Sequence, residues 1–240
     1  TTSSGNAVIS FDSPVNSNYS FFQLSLWDAS GNLHSYKNVG KDTTVTYEGL
    51  KAGTYYYKVD QYSSYSGDQY SFTPSFTASS IDNFETENNN TLSTADAVSL
   101  GSETKGRLST SGDVDYYKFT ASSSGSVSVS LDTPTNSGGD YFKFTLYDSN
   151  NNNLGQYETG QDLTASLGIS VAGTYYLKLE SGYYHDTGQY SLTASFLGGT
   201  SSGYESESNS TTSTADSLTL GNAIKGQLSA DSDVDYYKFT

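Results

Sequence analysis

An internal repeat of 120 residues is the feature that most constrains how this chain can fold. Residues 114–120, Val-Asp-Tyr-Tyr-Lys-Phe-Thr, recur unchanged at 234–240, and Ala-Gly-Thr-Tyr-Tyr at 52–56 recurs at 172–176. Solenoid repeats run from about 20 to 50 residues, whereas a unit of this length can bury a hydrophobic core of its own. We therefore expect tandem domains built from the same set of secondary-structure elements.

The module boundaries follow from local composition. Polar, Ser/Thr/Gly/Asn-rich stretches lie at 77–83 and 198–203, and each precedes an acidic Glu-x-Glu. With these stretches as linkers, residues 84–197 form one complete module. Residues 1–80 are then the C-terminal two-thirds of a module, and 204–240 are the N-terminal third of a further one. The two partial modules could complete each other within one chain or between neighbouring molecules.

Period-2 alternation of apolar and polar residues predicts strands along the whole repeat. It is clearest at Val127-x-Val129-x-Leu131, Phe142-x-Phe144-x-Leu146, Tyr175-x-Leu177-x-Leu179 and Tyr190-x-Leu192-x-Ala194-x-Phe196. Turn-forming residues separate these runs, and no stretch has a helical period. The sequence therefore predicts an all-β protein made of antiparallel, jelly-roll-like β-sandwich modules.

Aromatic residues are the expected core of this polar chain, which has 22 Tyr and 11 Phe. The inward positions of the alternating runs define that core. In the complete module these positions are Phe119, Phe142, Phe144, Tyr175 and Leu177, and their counterparts are Phe239, Phe22, Leu24, Tyr55 and Tyr57.

Composition excludes several classes of function. The formal net charge is −15, from 26 acidic and 11 basic residues, whereas a phosphate-binding surface needs clustered Lys and Arg. We therefore expect no nucleic acid as a partner. The absence of cysteine excludes disulfides, zinc–thiolate sites and thiol nucleophiles. No apolar run is long enough for a transmembrane helix, so we expect no insertion into a membrane.

The acidic segment of each repeat, residues 85–89 and 205–209, is the strongest candidate for a chemical site. Glu85, Glu87 and Asn89 are spaced by two, so their side chains share one face of an extended segment, and Asp113 and Asp115 have the same spacing. Oxygen donors of this number suit a hard cation such as Ca²⁺. The second copy offers Glu205, Glu207, Asn209, Asp233 and Asp235. The alternative is that these are solvated carboxylates that oppose aggregation of an edge strand.

Exposed tyrosines are a second candidate. Tyr176, Tyr183 and Tyr184 could form a stacking surface for an extracellular protein or a polysaccharide. The alternative is that Tyr replaces Phe and Leu on sheet faces. Ser63 and Ser64 occupy the positions that correspond to 183 and 184, so this patch does not recur.

No pattern predicts catalysis, and we expect that the chain is not an enzyme. The two histidines, His34 and His185, do not recur in the other copy. Gly-Thr-Ser-Ser-Gly at 199–203 matches a nucleophile-elbow pattern but lies in a linker rather than between a strand and a helix.

Five motifs, taken in order, resemble the bacterial pre-peptidase C-terminal domain, a family similar to the collagen-binding domains of clostridial collagenases. They are Glu85-x-Glu87-x-Asn89, Thr94-Ala95, Gly106-x-Leu108, Asp113-x-Asp115-Tyr116-Tyr117-x-Phe119 and Ala172-Gly173-Thr174-Tyr175-Tyr176. The resemblance implies a β-sandwich from a secreted bacterial protein, with calcium between the acidic segment and the aspartate loop. Collagenase-type domains usually carry a further acidic residue where Asn90 and Ser210 stand, which suggests one ion where relatives hold two.

Two functions are consistent with these features. One is a non-catalytic, calcium-stabilised repeat of a large bacterial surface or filament protein, which serves as a stalk and in adhesion outside the cell. Its partners would be neighbouring copies of the repeat, arranged head to tail, including strand complementation. The other is an accessory domain of a secreted hydrolase that binds a polymer such as collagen or a polysaccharide.

Overall fold

The structure, a computed structural model, describes residues 1–63, 67–81, 83–199 and 203–240. These form two compact units, Thr1–Asn88 and Asn89–Thr240. The regular secondary structure of the described ranges consists of β-strands. Within those ranges, nothing helical has the length and apolar character needed to cross a membrane.

The first unit contains six strands in two antiparallel sheets. The strands are β1 (Gly5–Asp12), β2 (Phe22–Asp28), β3 (Leu33–Val39), β4 (Thr43–Leu50), β5 (Tyr55–Gln61) and β6 (Ser71–Ala78). Their orders are β4-β1-β6 and β3-β2-β5. Buried and less buried residues alternate strictly along β1, so Ile9 and Phe11 lie inside. These two residues belong to a core that also includes Leu24, Leu26 and Tyr47.

The second unit contains a larger two-sheet sandwich and a short additional sheet. Its strands are β7 (Asp96–Ala97), β8 (Glu103–Gly106), β9 (Val114–Ala121), β10 (Gly125–Asp132), β11 (Phe142–Tyr147), β12 (Asn153–Thr159), β13 (Leu163–Ile169), β14 (Gly173–Ser181), β15 (Tyr190–Gly198), β16 (Asp216–Ser217) and β17 (Tyr237–Lys238). The sandwich sheets have the orders β13-β10-β15-β8 and β12-β11-β14-β9-β7, and one core lies between them. The prediction of an all-β, antiparallel sandwich is confirmed.

The predicted core of the complete module is also confirmed. Its five residues, Phe119, Phe142, Phe144, Tyr175 and Leu177, are at most 4% exposed. Their counterparts follow the pattern less well: Phe22 and Leu24 are buried, and Tyr55 and Tyr57 are half-buried.

The prediction that Phe239 is buried is wrong, because its side chain is 67% exposed. Phe119, at the equivalent position, stacks on Tyr175 with ring centres 5.9 Å apart, since β9 pairs with β14. By contrast, β17 pairs only with β16 among the described strands, and the Phe239 side chain is left exposed.

Among the described strands, the two sheets of residues 1–80 have fewer members than the corresponding sheets of the second unit. In the second unit, β14 is followed by β9, and β15 is followed by β8. The equivalent strands β5 and β6 are the last described members of their sheets, which contain β1 to β6 alone. Completion of these sheets by residues 204–240, within one chain or between molecules, remains a prediction.

Candidate metal centre

Hydrogen bonds on both sides anchor the acidic segment of the second copy, which is irregular after the single bridge between Tyr204 and Lys225. The backbone N–H of Glu205 donates to the carbonyl of Lys225 at 2.9 Å, and the N–H of Tyr236 donates to the carbonyl of Asn209 at 3.1 Å. Between them, Asp216 accepts hydrogen bonds from the N–H and hydroxyl of Ser206 at 2.8 and 2.6 Å. The side chains at 205 and 207 therefore have fixed directions.

Three carboxylates converge at this segment. Ligand oxygens of Glu205, Glu207 and Asp235 all lie within 4.8 Å of one another, and we call these residues the acidic cluster. The side chains of Glu205 and Glu207 thus lie on the same side of the segment, as their spacing predicts. Asp235 joins them because the neighbouring Tyr236 N–H bonds to the carbonyl of Asn209.

The cluster contains buried oxygen atoms that lack a hydrogen-bond donor. Asn209 is fully buried, and its Nδ2 lies 3.3 Å from Glu205 Oε2 and 3.4 Å from Asp216 Oδ2. Its Oδ1 has no partner, and neither do Glu207 Oε1 and Asp235 Oδ1. A buried oxygen without a donor is unfavourable unless a cation or water satisfies it, so these residues fit a cation that prefers oxygen ligands.

The electrostatics of the cluster point the same way. Burial, together with repulsion by Asp233 and Glu205, raises the pKa of Glu207 to about 7. Burial and the same two neighbours raise the pKa of Asp235 to about 6. Without a cation, the carboxylates thus resist simultaneous ionisation, and a divalent ion would relieve that repulsion.

Glu205 is oriented by donors from two other parts of the segment. The hydroxyl of Tyr237 donates to Glu205 Oε2 at 2.5 Å, and the backbone N–H of Gln227 donates to Oε1. Burial and the contact with Glu205 raise the pKa of the Tyr237 hydroxyl. The phenol thus remains a proton donor to the carboxylate.

Asp233 lies beside the cluster but is engaged elsewhere. Its Oδ2 accepts the N–H of Ser229 at 2.6 Å, and its Oδ1 accepts that of Val234 at 2.9 Å. The carboxylate therefore closes the loop before the last strand. Asp113 forms the same two bonds, with the N–H groups of Ser109 and Val114, at 2.6 and 3.0 Å. Metal ligation by either aspartate remains a prediction.

In the first copy, the acidic segment crosses the boundary between the units. Glu85 and Glu87 are half-buried at the end of the first unit, where they line a cavity of about 50 Å³ together with Asp28 and Lys51. Ligation of a metal by these two glutamates remains a prediction.

The remaining predicted ligands of the first copy are buried in the second unit. Asn89 is fully buried, its carbonyl accepts the N–H of Tyr116 at 3.0 Å, and its Oδ1 lacks a hydrogen-bond partner. Asp115 is also fully buried and accepts the hydroxyl of Tyr190 at 2.5 Å. The buried asparagine with an unsatisfied Oδ1 is thus common to both copies.

Two contributors were not predicted from the sequence. Asp216 holds Ser206 and touches Asn209, and Tyr237 holds Glu205. The sequence signal that could have identified them is the recurrence of Ser-Thr-Ala-Asp at 93–96 and 213–216, together with the recurrence of the Tyr-Tyr pair.

The tyrosine patch is exposed but not flat. Tyr183 is 84% and Tyr184 50% exposed, whereas Tyr176 is half-buried. The Tyr183 and Tyr184 rings are nearly perpendicular, at 83°, with centres 4.9 Å apart. Tyr184 leans on Tyr141 with an interplanar angle of 33°. The patch therefore offers one projecting ring rather than a stacking platform.

Each histidine has a hydrogen-bond partner that is not a member of the acidic cluster. His34 Nε2 bonds to the carbonyl of Glu48 at 2.9 Å, and His185 Nδ1 lies 2.9 Å from Ser181 Oγ. Burial lowers the pKa of His185. Residues 200–202 of the nucleophile-elbow match lie outside the described part of the chain.

Comparison with known proteins finds a family match for part of the chain. Residues 113–181 match the bacterial pre-peptidase C-terminal domain. The resemblance read from the motifs is thereby confirmed.

Two of the similar solved structures come from bacterial enzymes. The pre-peptidase C-terminal domain of a Bacillus anthracis collagenase is 24% identical, with 42% of this chain and 93% of that chain covered and a TM-score of 0.35. Tandem CBM51 modules of a Streptococcus pneumoniae family 98 glycoside hydrolase are 11% identical, with 81% and 78% covered and a TM-score of 0.28. No curated protein sequence matches the chain.

Proposed function

We propose that this chain is a calcium-stabilised, non-catalytic repeat of a large extracellular bacterial protein, with a structural and adhesive role. The observation that carries the proposal is the acidic cluster. Its three carboxylates converge on one point, beside a fully buried asparagine whose Oδ1 has no hydrogen-bond partner. The match of residues 113–181 to the pre-peptidase C-terminal domain supports an accessory rather than a catalytic role.

The donor set favours calcium over other common ions. All candidate ligands are oxygens, from Glu205, Glu207, Asp235 and Asn209, whereas zinc sites use mainly Cys and His. Magnesium demands near-ideal octahedral geometry and gives up its water reluctantly, but calcium accepts irregular sets of carboxylate and amide oxygens. Three nearby negative charges supply the electrostatic attraction that a divalent cation requires.

We extend the proposal to the first copy because its residue types recur at the same spacing. There the ligands would come from Glu85, Glu87, Asn89, Asp113 and Asp115. Asp233 would complete the second set, although its two oxygens already accept backbone N–H groups.

Outside the cell, an ion bound by the acidic cluster would have a structural role. Calcium sites of extracellular modules bind with dissociation constants of about 10⁻⁴–10⁻³ M, which suits a structural ion in a calcium-rich environment. The acidic segment directly follows the linker at 198–203, so an ion bound there would stiffen the connection between successive repeats.

The experiment is a melt of the full chain, first in calcium and then in chelator, combined with calorimetric titration of calcium. At a hundredfold excess over Kd, an ion that binds only the folded state adds about 2.7 kcal/mol of stability. Asp235→Asn should remove the contribution of the second copy. Asp231→Asn, an exposed aspartate four residues earlier, is the matched control and should change nothing. Identical melts of the unmodified chain in both conditions would refute the proposal.

Neighbouring copies are the proposed partners. Residues 234–240 have the same sequence as 114–120, and the latter fill the edge of β14 in antiparallel register, with Phe119 opposite Tyr175. The β5 edge is the equivalent position in residues 1–80. We propose that 234–240 of one molecule pair with β5 of another, a head-to-tail contact that can continue from molecule to molecule.

Binding of an extracellular polymer is the second candidate function, and Tyr183 favours it. Its ring is 84% exposed, and large aromatic rings are common anchors at binding surfaces. Pull-down with insoluble collagen and with insoluble polysaccharides tests it, with Tyr183→Ala compared against the unmodified chain. Equal retention of the two proteins would exclude this ring as an anchor.

A further inference from the structure

The body of a repeat contacts the acidic segment of the repeat that follows, and an aromatic ring forms the centre of this contact. In the second unit, the ring of Tyr204 lies against Gly168 of β13. A Cβ at Gly168 would be 2.2 Å from Cδ1 and 2.9 Å from Cε1 of Tyr204. Lys225 Nζ lies 5.3 Å from the centre of the same ring. The ring thus occupies the space that a side chain at position 168 would need.

A preorganised turn forms the second part of the contact. Asp148 Oδ1 accepts the N–H groups of Asn150 and Asn152, both at 2.8 Å, and Oδ2 accepts Asn152 Nδ2 at 2.9 Å. The same Nδ2 lies 3.4 Å from the carbonyl oxygen of Glu207. Because the turn is closed by its own aspartate, the asparagine is already oriented toward the acidic segment.

The adjoining strand adds a third point of attachment. Asn153 Nδ2 donates to the carbonyl of Ser229 at 3.2 Å. A cavity of about 460 Å³ is lined both by residues of β13 and by residues 204–207.

The first unit repeats the arrangement with different side chains. Phe84 takes the place of the tyrosine, and a Cβ at Gly49 would be 2.9 Å from its Cδ1. Asp28 Oδ1 accepts the N–H of Asn32 at 2.8 Å, and Asn32 Oδ1 accepts Asn88 Nδ2 at 3.2 Å. Both units thus place an aromatic ring on a glycine and an asparagine of an Asp-closed turn on the acidic segment.

We propose that Gly168 and the turn 148–152 form a docking surface for the acidic segment of the next repeat. Gly49 and the turn 28–32 form the same surface one repeat earlier. The occupant is a segment of the pattern aromatic-Glu-x-Glu-x-Asn. The inference rests on the tandem arrangement of the proposed function but not on its metal, because the contacts involve aromatic, amide and backbone groups.

Gly168→Ala in the full, calcium-free chain tests the docking directly. Gly168 is not among the residues with positive φ, so alanine suits its strand, and the nearest atoms to the new methyl group all belong to Tyr204. Gly173→Ala is the matched control, because a Cβ there meets nothing within 4 Å. Circular dichroism should show that both variants keep the sheet content of the unmodified chain.

Two readouts report on the docked state. The unmodified chain should show nuclear Overhauser effects between the Tyr204 ring and the Hα protons of Gly168. Amide hydrogen exchange over 203–209 should accelerate about tenfold in Gly168→Ala and stay unchanged in Gly173→Ala. Tyr204→Ala should reproduce the acceleration, and the double variant should add nothing further, as expected for two residues that act through one contact.

The outcomes separate this inference from the calcium proposal. Absence of the Overhauser effect, or equal exchange in the two glycine variants, would overturn the docking surface. An effect seen only between labelled and unlabelled molecules would assign the occupant to a second copy and overturn docking within the chain. Docking without any binding of calcium would refute the metal and leave this surface in place.

Discussion

Replacement of Tyr190 by phenylalanine should destabilise the second unit through the loss of two buried hydrogen bonds. Tyr190, Tyr117 and Asp115 are all fully buried. The hydroxyl of Tyr190 donates to Asp115 Oδ2 at 2.5 Å and lies 2.5 Å from the hydroxyl of Tyr117. Since Tyr190 has one hydroxyl proton and gives it to the carboxylate, Tyr117 is the donor to Tyr190.

The magnitude follows from these two bonds. A hydrogen bond to a charged group contributes about 1.5–3 kcal/mol, and one between neutral groups contributes about 0.5–1.5 kcal/mol. Phenylalanine keeps the buried ring and its edge contact with Phe142, at 5.9 Å between ring centres, so little packing is lost. We expect Tyr190→Phe to cost about 2–4 kcal/mol in the free energy of unfolding.

The repeat supplies the controls. Tyr117→Phe removes only the neutral bond and should cost about 1 kcal/mol. Tyr70 is the counterpart of Tyr190 in the other copy and is 43% exposed, so Tyr70→Phe should cost less than about 0.5 kcal/mol. Urea unfolding followed by circular dichroism measures all three. The single tryptophan, Trp27, reports the first unit separately by fluorescence. Equal stability of the Tyr190 and Tyr70 variants would refute the reasoning.

Three further predictions concern the core, the acidic cluster and the chain ends. Phe144→Ala should cost about 3–5 kcal/mol because the ring is fully buried, whereas Phe239→Ala, at an exposed ring, should cost under about 0.5 kcal/mol in the same urea titration. In chelator, the contribution of Glu207 to stability should be complete below pH about 4.5 and should be lost as pH rises through about 7, because burial and neighbouring carboxylates raise its pKa in the folded state; Glu207→Gln should remove this part of the pH dependence. Sedimentation of the full chain should show concentration-dependent self-association that Phe239→Asp weakens, and a monomer at every concentration would contradict strand complementation.

The sequence predicted the strands of the complete module because one face of each is buried. Val127, Val129 and Leu131 alternate in the sequence, and all three are at most 1% exposed in β10. Alternation identifies the inward side of a strand, but it does not reveal whether a second layer covers that side. The prediction for Phe239 is wrong for that reason. The alternating pattern indicates on which side of the strand the ring lies, whereas burial of the ring depends on whether another sheet covers that side.

Some features of the candidate site could likewise be predicted from the spacing of residues, and others could not. The spacing of Glu205 and Glu207 predicts that they share a face, and the structure brings both to Asp235. The loop-closing hydrogen bonds of Asp233 could not be predicted, because carboxylates that cap loops and carboxylates that bind ions have the same residue type. The role of Asp216 could not be predicted, because its carboxylate accepts a hydrogen bond from Ser206 and no spacing rule specifies that contact.

The identical segments 114–120 and 234–240 show which parts of the repeat are encoded locally. In the first, an eight-residue strand buries Phe119, and in the second only two residues are in a strand. Burial of this segment therefore depends on the sheet beside it and not on its own sequence.

The loops around the acidic segment behave differently, since they have the same geometry in both copies. Asp113 and Asp233 each accept a backbone N–H at 2.6 Å across four residues, and Asn89 and Asn209 are both fully buried. Yet only the first copy continues into strands that form a sandwich core, since the described strands after the second acidic segment are the two-residue β16 and β17. The geometry that positions the proposed ligands is thus encoded within the N-terminal third of the repeat. This independence lets the acidic segment contact the preceding repeat, with its oxygen donors arranged, without a contribution from the remaining strands of its own module.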